Sequence, residues 1–89
     1  MYQINLLDHA TTDLAQLDKQ VARRIVKRLN WLAKNIDNLK IETLTGNLAG
    51  FCKFRVGSYR VLYEIFEEEQ TIVIHQIGHR RDIYKRKSK

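Results

Sequence analysis

The stretch CKFRVGSYRV, residues 52–61, alternates between apolar and charged side chains with a period of two. This period is typical of β-strands, whose successive side chains point to opposite faces of a sheet. Lys53 and Arg55 therefore share one face. The other face receives the apolar side chains of Cys52, Phe54 and Val56. The Gly-Ser pair at 57–58 suits a two-residue type II′ turn, so the stretch predicts a β-hairpin with one cationic and one apolar face.

Two further strands are expected after the turn, YRVLYEIF at 59–66 and TIVIHQI at 71–77. In the first of them one face would hold Tyr59, Val61, Tyr63 and Ile65, and the other Arg60, Leu62, Glu64 and Phe66. A shift of one residue would bury Lys53 and Arg55, so the hairpin register is strongly constrained. Arg60 is then expected on the same surface as these two cations.

The first half of the chain predicts a strand and two helices. YQINLL at 2–7 is apolar and prone to β-structure, and Asp8 after it is a candidate N-cap for a first helix. The clearest helix carries apolar side chains at three- and four-residue steps, namely Val21, Ala22, Ile25, Val26, Leu29, Leu32, Ala33 and Ile36. Trp31 interrupts its polar side and is expected to be partly packed. Residues 38–50, NLKIETLTGNLAG, are expected to form a loop.

The predicted order is β-α-α-β-β-β, which indicates the α+β class. The N-terminal strand and the two-helix hairpin would pack with one face of a small antiparallel sheet, leaving the opposite face free for chemistry. The length, 89 residues, predicts a single domain over 1–89. A short basic segment ends the chain: HRRDIYKRKSK, residues 79–89, holds six Lys or Arg and one Asp.

Charge and cysteine content restrict the class of protein. Sixteen Lys and Arg against ten Asp and Glu give a formal charge of +6, which favours a polyanionic partner such as nucleic acid or an acidic protein. The basic end could equally be a solvated tail. The single cysteine, Cys52, excludes an internal disulfide and is expected to be a buried thiol. No Cys/His spacing predicts a metal site, and no apolar run predicts a membrane span, so a cytoplasmic protein without a cofactor is expected.

Two segments carry a resemblance to a known family, LTGNLAGFCKFRVGSYRVLYEI at 44–65 and IGHRRDIYKR at 77–86. Together with the preceding strand and helical hairpin they resemble the RelE/ParE toxin superfamily of bacterial toxin–antitoxin systems, over nearly the whole chain. The family fold agrees with the order predicted above. RelE-like members cut mRNA in the ribosomal decoding site, whereas ParE-like members poison DNA gyrase on the same scaffold.

The resemblance implies a catalytic surface. Its two cations on one strand correspond to Lys53 and Arg55, its arginine on the next strand to Arg60, its arginine after the last strand to Arg80, and its C-terminal tyrosine to Tyr84. The best-known family pattern has lysine at both strand positions. Arg55 departs from it, and an arginine is a poor proton carrier.

Metal-free RNA cleavage needs a base for the ribose 2′-OH, positive charge around the phosphorane and a proton for the departing 5′-oxygen. Arg55 and Arg60 would clamp the phosphate, and Lys53, surrounded by cations, would be the base. Arg80 would stabilise the departing oxygen, and Tyr84 would stack on a base or orient the 2′-OH. Further RNA contacts are expected from Arg81, Lys85 and Arg86.

Histidines offer a second source of protons. His79 is a possible acid or base, because an imidazole titrates near neutral pH. His75 lies within a predicted strand with no partner readable from the sequence, and no catalytic role is expected for it.

The leading hypothesis is a type II toxin that acts as a ribosome-dependent, metal-independent mRNA endonuclease. Its expected partners are a cognate acidic antitoxin, the ribosome and mRNA. One alternative is a ParE-like poison of DNA gyrase without enzymatic activity of its own, and another is a non-catalytic basic RNA- or protein-binding module.

Overall fold

The computed structural model describes residues 1–83, apart from the side chain of Asn47. The first strand, β1 (Gln3–Leu6), is followed by the helices α1 (Asp8–Ala15) and α2 (Lys19–Asn35). The remaining strands are β2 (Glu42–Thr43), β3 (Cys52–Val56), β4 (Tyr59–Phe66) and β5 (Thr71–His79). Single 3-10 turns lie at Ile36–Asn38 and Gly46–Leu48. The α+β class is confirmed, with one strand more than predicted.

The extra strand is β2, which lies within the segment expected to be a loop. Glu42 pairs with Lys53 across β2 and β3, and the Leu44 amide donates to the Phe51 carbonyl at 3.0 Å. Two residues carry no strand periodicity of their own, so this strand exists because the neighbouring edge of β3 offers backbone partners.

The five strands form one sheet in the order β1-β5-β4-β3-β2. The prediction placed the N-terminal strand on one face of an antiparallel sheet. Instead, β1 is an edge strand of the sheet and runs parallel to β5, while the other neighbours are antiparallel. The parallel pair is possible because both helices stand between β1 and the rest of the sheet in sequence, which gives the chain the length that a parallel connection needs.

Both helices contribute to one apolar core. The inner face of α2 buries Ile25, Leu29, Leu32 and Ala33 at helical spacing. The sheet contributes Val61, Tyr63, Ile72, Ile74 and Ile77 to the same cluster. Cys52 joins them at 7% exposure, and burial raises the pKa of its thiol, so the prediction of a buried cysteine is confirmed.

The start of α1 differs from the prediction by one residue. Leu7 occupies the N-cap position without a side-chain hydrogen bond, and Asp8 is the first helical residue. Asp8 therefore acts through its charge in the first turn, where a carboxylate is favoured by the helix dipole. Among the described residues, no helix is long and apolar enough to cross a membrane.

The β3–β4 hairpin has the predicted register. Cys52 lies opposite Tyr63 and Phe54 opposite Val61, so the apolar side chains share the face covered by the helices. Gly57 has a φ of +59°, and Ser58 has no positive φ, the combination found in a type II′ turn.

Candidate nucleic-acid interface

Three cations lie on the sheet face that points away from the helices, here called the cationic face and defined by Lys53, Arg55 and Arg60. Arg55 and Arg60 are direct cross-strand partners, and Lys53 lies opposite Leu62 two pairs further along. Direct partners in an antiparallel pair project from the same side of the sheet. The structure thus brings together the three strand cations that the sequence singled out.

The Arg55–Arg60 pair places like charges opposite each other, an arrangement that is normally destabilising. Arg60 is held by its own turn, because its Nη1 donates to the carbonyls of Gly57 and Tyr59 at 3.0 and 2.9 Å. Among residues 1–83, no ion pair joins either guanidinium to a carboxylate. This part of the cationic face consequently carries positive charge that an external anion would neutralise.

Lys53 has a partner that the sequence did not reveal. Its Nζ lies 2.9 Å from Oε2 of Glu42 on β2. The hydrogen bond from Lys53 lowers the pKa of Glu42, and the charges of Lys53, Arg55 and Arg60 lower it further. All three cations therefore act on the same carboxylate, that of Glu42. The ammonium of Lys53 is therefore engaged by a carboxylate of the neighbouring strand.

A β-bulge in β5 shapes the neighbouring part of the same face. Leu62 pairs with Gln76 and Tyr63 with Ile74, so His75 is an extra residue on β5. The bulge could have been read from the apolar spacing, which changes from two residues to three between Ile74 and Ile77.

His75 also has a partner. Its Nε2 lies 2.6 Å from Oε1 of Glu64, and its ring meets Phe51 edge-on with centroids 4.7 Å apart. Gln76 beside it is buried, and its Oε1 has no donor within the part of the chain that the structure describes.

The helix side supports the bulge. Asp13 of α1 is only 6% exposed, and its Oδ2 accepts a hydrogen bond of 3.0 Å from the amide of Ile77, two residues after the extra residue of the bulge. In the sequence, this contact is signalled only by an acidic residue beside the apolar positions of α1. The prediction from sequence did not include it.

The end of β5 separates the remaining candidates. His79 pairs with Tyr59 and meets its ring edge-on at 5.5 Å, on the face opposite the cationic face. The Nδ1 of His79 accepts from the Arg81 amide at 3.2 Å. The structure therefore does not bring the His79 ring together with the three cations, and its role as acid or base stays a prediction without support from this geometry.

Arg80 comes close to the hairpin through its backbone. Its amide donates to the Ser58 carbonyl at 2.8 Å, which fixes the residue beside the β3–β4 turn, and its side chain is exposed. Arg81 is exposed as well. The other predicted site residues, Tyr84, Lys85 and Arg86, lie outside the described residues. Within 1–83, no group of three or more His, Cys, Asp or Glu side chains could hold a metal ion.

Comparisons with known proteins agree with this architecture. Residues 4–84 match the family model described as ParE toxin of type II toxin–antitoxin system, parDE. Toxin RelG of Mycobacterium tuberculosis is 33% identical over 87 residues, which cover 96% of this chain and 98% of that protein.

Solved structures show the same similarity. The toxin–antitoxin complex RelBE2 of Mycobacterium tuberculosis contains a chain that is 30% identical with a TM-score of 0.80, covering 91% of this chain and 93% of that one. The isolated Escherichia coli RelE toxin shares the fold with a TM-score of 0.74 at 17% identity, over 99% of this chain and 96% of that one. This chain belongs to the RelE/ParE superfamily of toxins of type II toxin–antitoxin systems.

Proposed function

We propose that this toxin is an endoribonuclease that cleaves mRNA on the ribosome, in the cytoplasm. The observation that carries the proposal is the Arg55–Arg60 pair, two guanidinium groups opposed across β3 and β4 without a carboxylate partner among residues 1–83. A planar guanidinium binds two phosphate oxygens at once, and two of them can hold a phosphate from both sides. Such a clamp also suits the extra negative charge of a phosphorane.

The chemistry begins with loss of the proton from a ribose 2′-OH. The 2′-oxygen then forms a bond to the adjacent phosphorus, and the bond from phosphorus to the 5′-oxygen breaks as that oxygen takes up a proton. The products are a 2′,3′-cyclic phosphate and a free 5′-hydroxyl. Arg55 and Arg60 would stabilise the charge that the phosphorane gains between these two events.

The remaining residues take supporting roles in this proposal. Lys53, which is paired with Glu42, would accept the 2′-OH proton or add positive charge beside the phosphate. Arg80, beside the hairpin turn, would stabilise the departing 5′-oxygen. Tyr84 would stack on a base near the cut. Arg81, Lys85 and Arg86 would contact the RNA backbone.

A second candidate function is inhibition of DNA gyrase. The observation in its favour is the family model, whose description names the ParE toxin. On this scaffold a gyrase poison needs a binding surface and no catalytic cations. The opposed arginines favour RNA cleavage, because they suit the negative charge of a phosphorane, which gyrase inhibition does not generate.

An antitoxin is the third element of the proposal. Similar solved structures include toxin–antitoxin complexes of Mycobacterium tuberculosis and Escherichia coli. The charge of +6 favours an acidic partner with a segment that folds as it binds.

Cleavage mapping on programmed ribosomes tests the proposal. The purified toxin is added to ribosomes halted on a defined mRNA, and the new 5′ ends are located by primer extension. We expect a cut within the occupied codon, and the same rate after addition of a chelator at a level that leaves the ribosomes intact. The double variant Arg55→Ala/Arg60→Ala should leave the mRNA whole.

A gyrase assay under the same conditions separates the two functions. Intact mRNA together with gyrase-linked DNA breaks would overturn the proposed nuclease and establish the second candidate. Cut mRNA with unaffected gyrase would exclude the second.

A further inference from the structure

A cleft between α2 and the free edge of β3 borders the cationic face on its helix side. It has a volume of about 230 Å³, and its wall includes Arg28, Trp31 and Phe54 together with Lys53 and Arg55. The cleft is open along β3 because β2 pairs only with Cys52 and Lys53. It therefore begins where the cationic face ends and continues around the edge of the sheet.

The aromatic wall of this cleft is ordered by stacking. Trp31 and Phe54 lie nearly parallel, with 13° between their planes and 6.4 Å between ring centroids. The guanidinium carbon of Arg28 lies 4.3 Å from the Trp31 centroid, in cation–π contact, and 5.5 Å from that of Phe54. Trp31 nevertheless remains 37% exposed, which confirms the partial packing expected from sequence. A large aromatic surface is thus held in place and still open to a ligand.

The charges around the cleft select the class of ligand. Arg28, Lys53 and Arg55 supply positive charge, and Glu42, the acidic residue of the wall, is already paired with Lys53. Pockets for drug-sized ligands have volumes of about 300–1,000 Å³, so this cleft of about 230 Å³ suits a single planar ring system. An aromatic platform beside cations is the arrangement that binds single-stranded nucleic acid, with the base on the ring and the phosphate on the cations.

We propose that this cleft binds one unpaired base of an RNA strand, stacked on Trp31, while Arg55 contacts the phosphate that links this base to the cationic face. The proposal rests on the proposed function for the choice of RNA as the ligand. It adds a path for the RNA strand. The RNA would run from the Arg55–Arg60 pair across the edge of β3 and then turn towards α2. Trp31 would then set affinity and not take part in the cleavage step.

Fluorescence offers a direct test, because Trp31 is the chain's single tryptophan. The probe is a 2′-O-methyl hexanucleotide, which lacks the nucleophilic hydroxyl and is not cut. We expect saturable quenching of the Trp31 emission, with the same midpoint as binding measured by anisotropy of a labelled probe. Trp31→Leu should weaken binding about 5- to 150-fold, the effect of losing one stacked base, while Trp31→Phe should stay near the wild type.

Phe66→Leu is the matched control, since Phe66 is also an exposed aromatic residue but lies at the far end of β4. It should leave binding unchanged. The cleft proposal would be overturned if the probe bound without reducing the Trp31 emission and the Trp31→Leu variant bound it with wild-type affinity. It would also be overturned if a poly-glutamate peptide quenched the emission and the probe did not. Absence of any binding would overturn it too.

The ribosomal cleavage assay decides the proposed function separately. Cut mRNA with an unquenched Trp31 leaves the nuclease standing and removes the base site. Quenching without any cut removes the nuclease and leaves a binding site for single-stranded RNA. Because quenching is measured on the wild-type chain, the test does not depend on the folding of a variant.

Discussion

Arg60 has a structural role in the hairpin turn, and the proposed nuclease would give it a chemical role as well. Its Nη1 donates hydrogen bonds to two backbone carbonyls of the hairpin turn. These bonds hold the guanidinium opposite Arg55 and leave its other nitrogens available to a ligand. A group held in this way costs no reorganisation when charge develops on the substrate, and such preorganised donors contribute most to catalysis. The sequence could predict the face on which Arg60 lies, but not these hydrogen bonds, since they depend on the turn geometry.

We therefore expect Arg60→Ala to lower the rate of mRNA cleavage about 10²- to 10³-fold, the usual effect of removing one charge-stabilising donor. Stability should fall by no more than about 3 kcal/mol, because two hydrogen bonds to partly exposed carbonyls are lost while the like-charge opposition to Arg55 is relieved. Single-turnover cleavage on saturating ribosomes and urea unfolding measure the two effects. Arg23→Ala, an exposed arginine on α2, is the control. Equal rates for the two variants would remove Arg60 from the catalytic surface.

The contact of Glu42 with Lys53 is a feature of single residues that could not be predicted from the sequence. Glu42 lies in a segment without strand periodicity, and its link to Lys53 exists only through the pairing of β2 with β3. Asp13 and the bulge at His75 left signals in the sequence, a polar residue beside an apolar stripe and a change in apolar spacing. Glu42 left none. A carboxylate on a cationic face weakens anion binding until it is displaced.

Replacing Glu42 should strengthen RNA binding. In Glu42→Gln the ammonium of Lys53 is free for a phosphate, so binding of a single-stranded oligonucleotide should be tighter and more sensitive to salt. One added phosphate contact steepens the dependence of log K on log salt by about 0.7. Anisotropy titrations between low and moderate salt measure this slope. Glu67→Gln, at an exposed carboxylate beyond β4, should leave the slope unchanged, and the same slope for all three proteins would contradict the expectation.

At the scale of the elements, the hairpin and the long helix could be predicted because burial imposes a period on them. The strands β3 and β4 alternate with a period of two, and α2 buries every third or fourth residue. The parallel pairing of β1 with β5 could not be predicted from the sequence, since a short apolar strand can pair wherever the sheet has a free edge. The bulge in β5 interrupts that strand's alternation, so a single period of two does not hold along its whole length.

The contact between α1 and β5 should stabilise this bulge. Asp13→Ala removes the acceptor for the buried amide of Ile77 and should cost about 1.5–3 kcal/mol of unfolding free energy, the range for a hydrogen bond to a charged group. Asp13→Asn keeps a carbonyl oxygen at the same position and should lose less. Denaturant unfolding gives the free energies, and hydrogen exchange at Ile77 reports the contact itself.

Faster exchange at Ile77 in the alanine variant than in the asparagine variant is the expected result. If the two variants unfold alike and exchange at Ile77 stays slow in both, the bulge is held by other contacts. Thr12→Ala, at an exposed position on the same helix, controls for changes in helix stability.

At the scale of the whole molecule, the fold separates two functions by face. The helices and the apolar sheet face supply stability, and the opposite face collects cations that contribute little to it. The cationic face attracts any polyanion, because the chain carries a charge of +6, so a toxin of this kind needs control of access to it.

The last prediction concerns that control. If an acidic antitoxin segment covers the cationic face, Arg55 should lose its reactivity towards phenylglyoxal in the complex, since the reagent needs an accessible guanidinium. Arg23 on α2 is exposed in the free toxin and should keep its reactivity, which makes it the internal control. The affinity of the complex should also fall as salt is raised, because the contact is made between opposite charges. Mass spectrometry of the modified peptides reads out both arginines in one sample. Undiminished modification of Arg55 in a fully formed complex would mean that the antitoxin acts from another surface, and the salt dependence would then have to arise from the cations of α2.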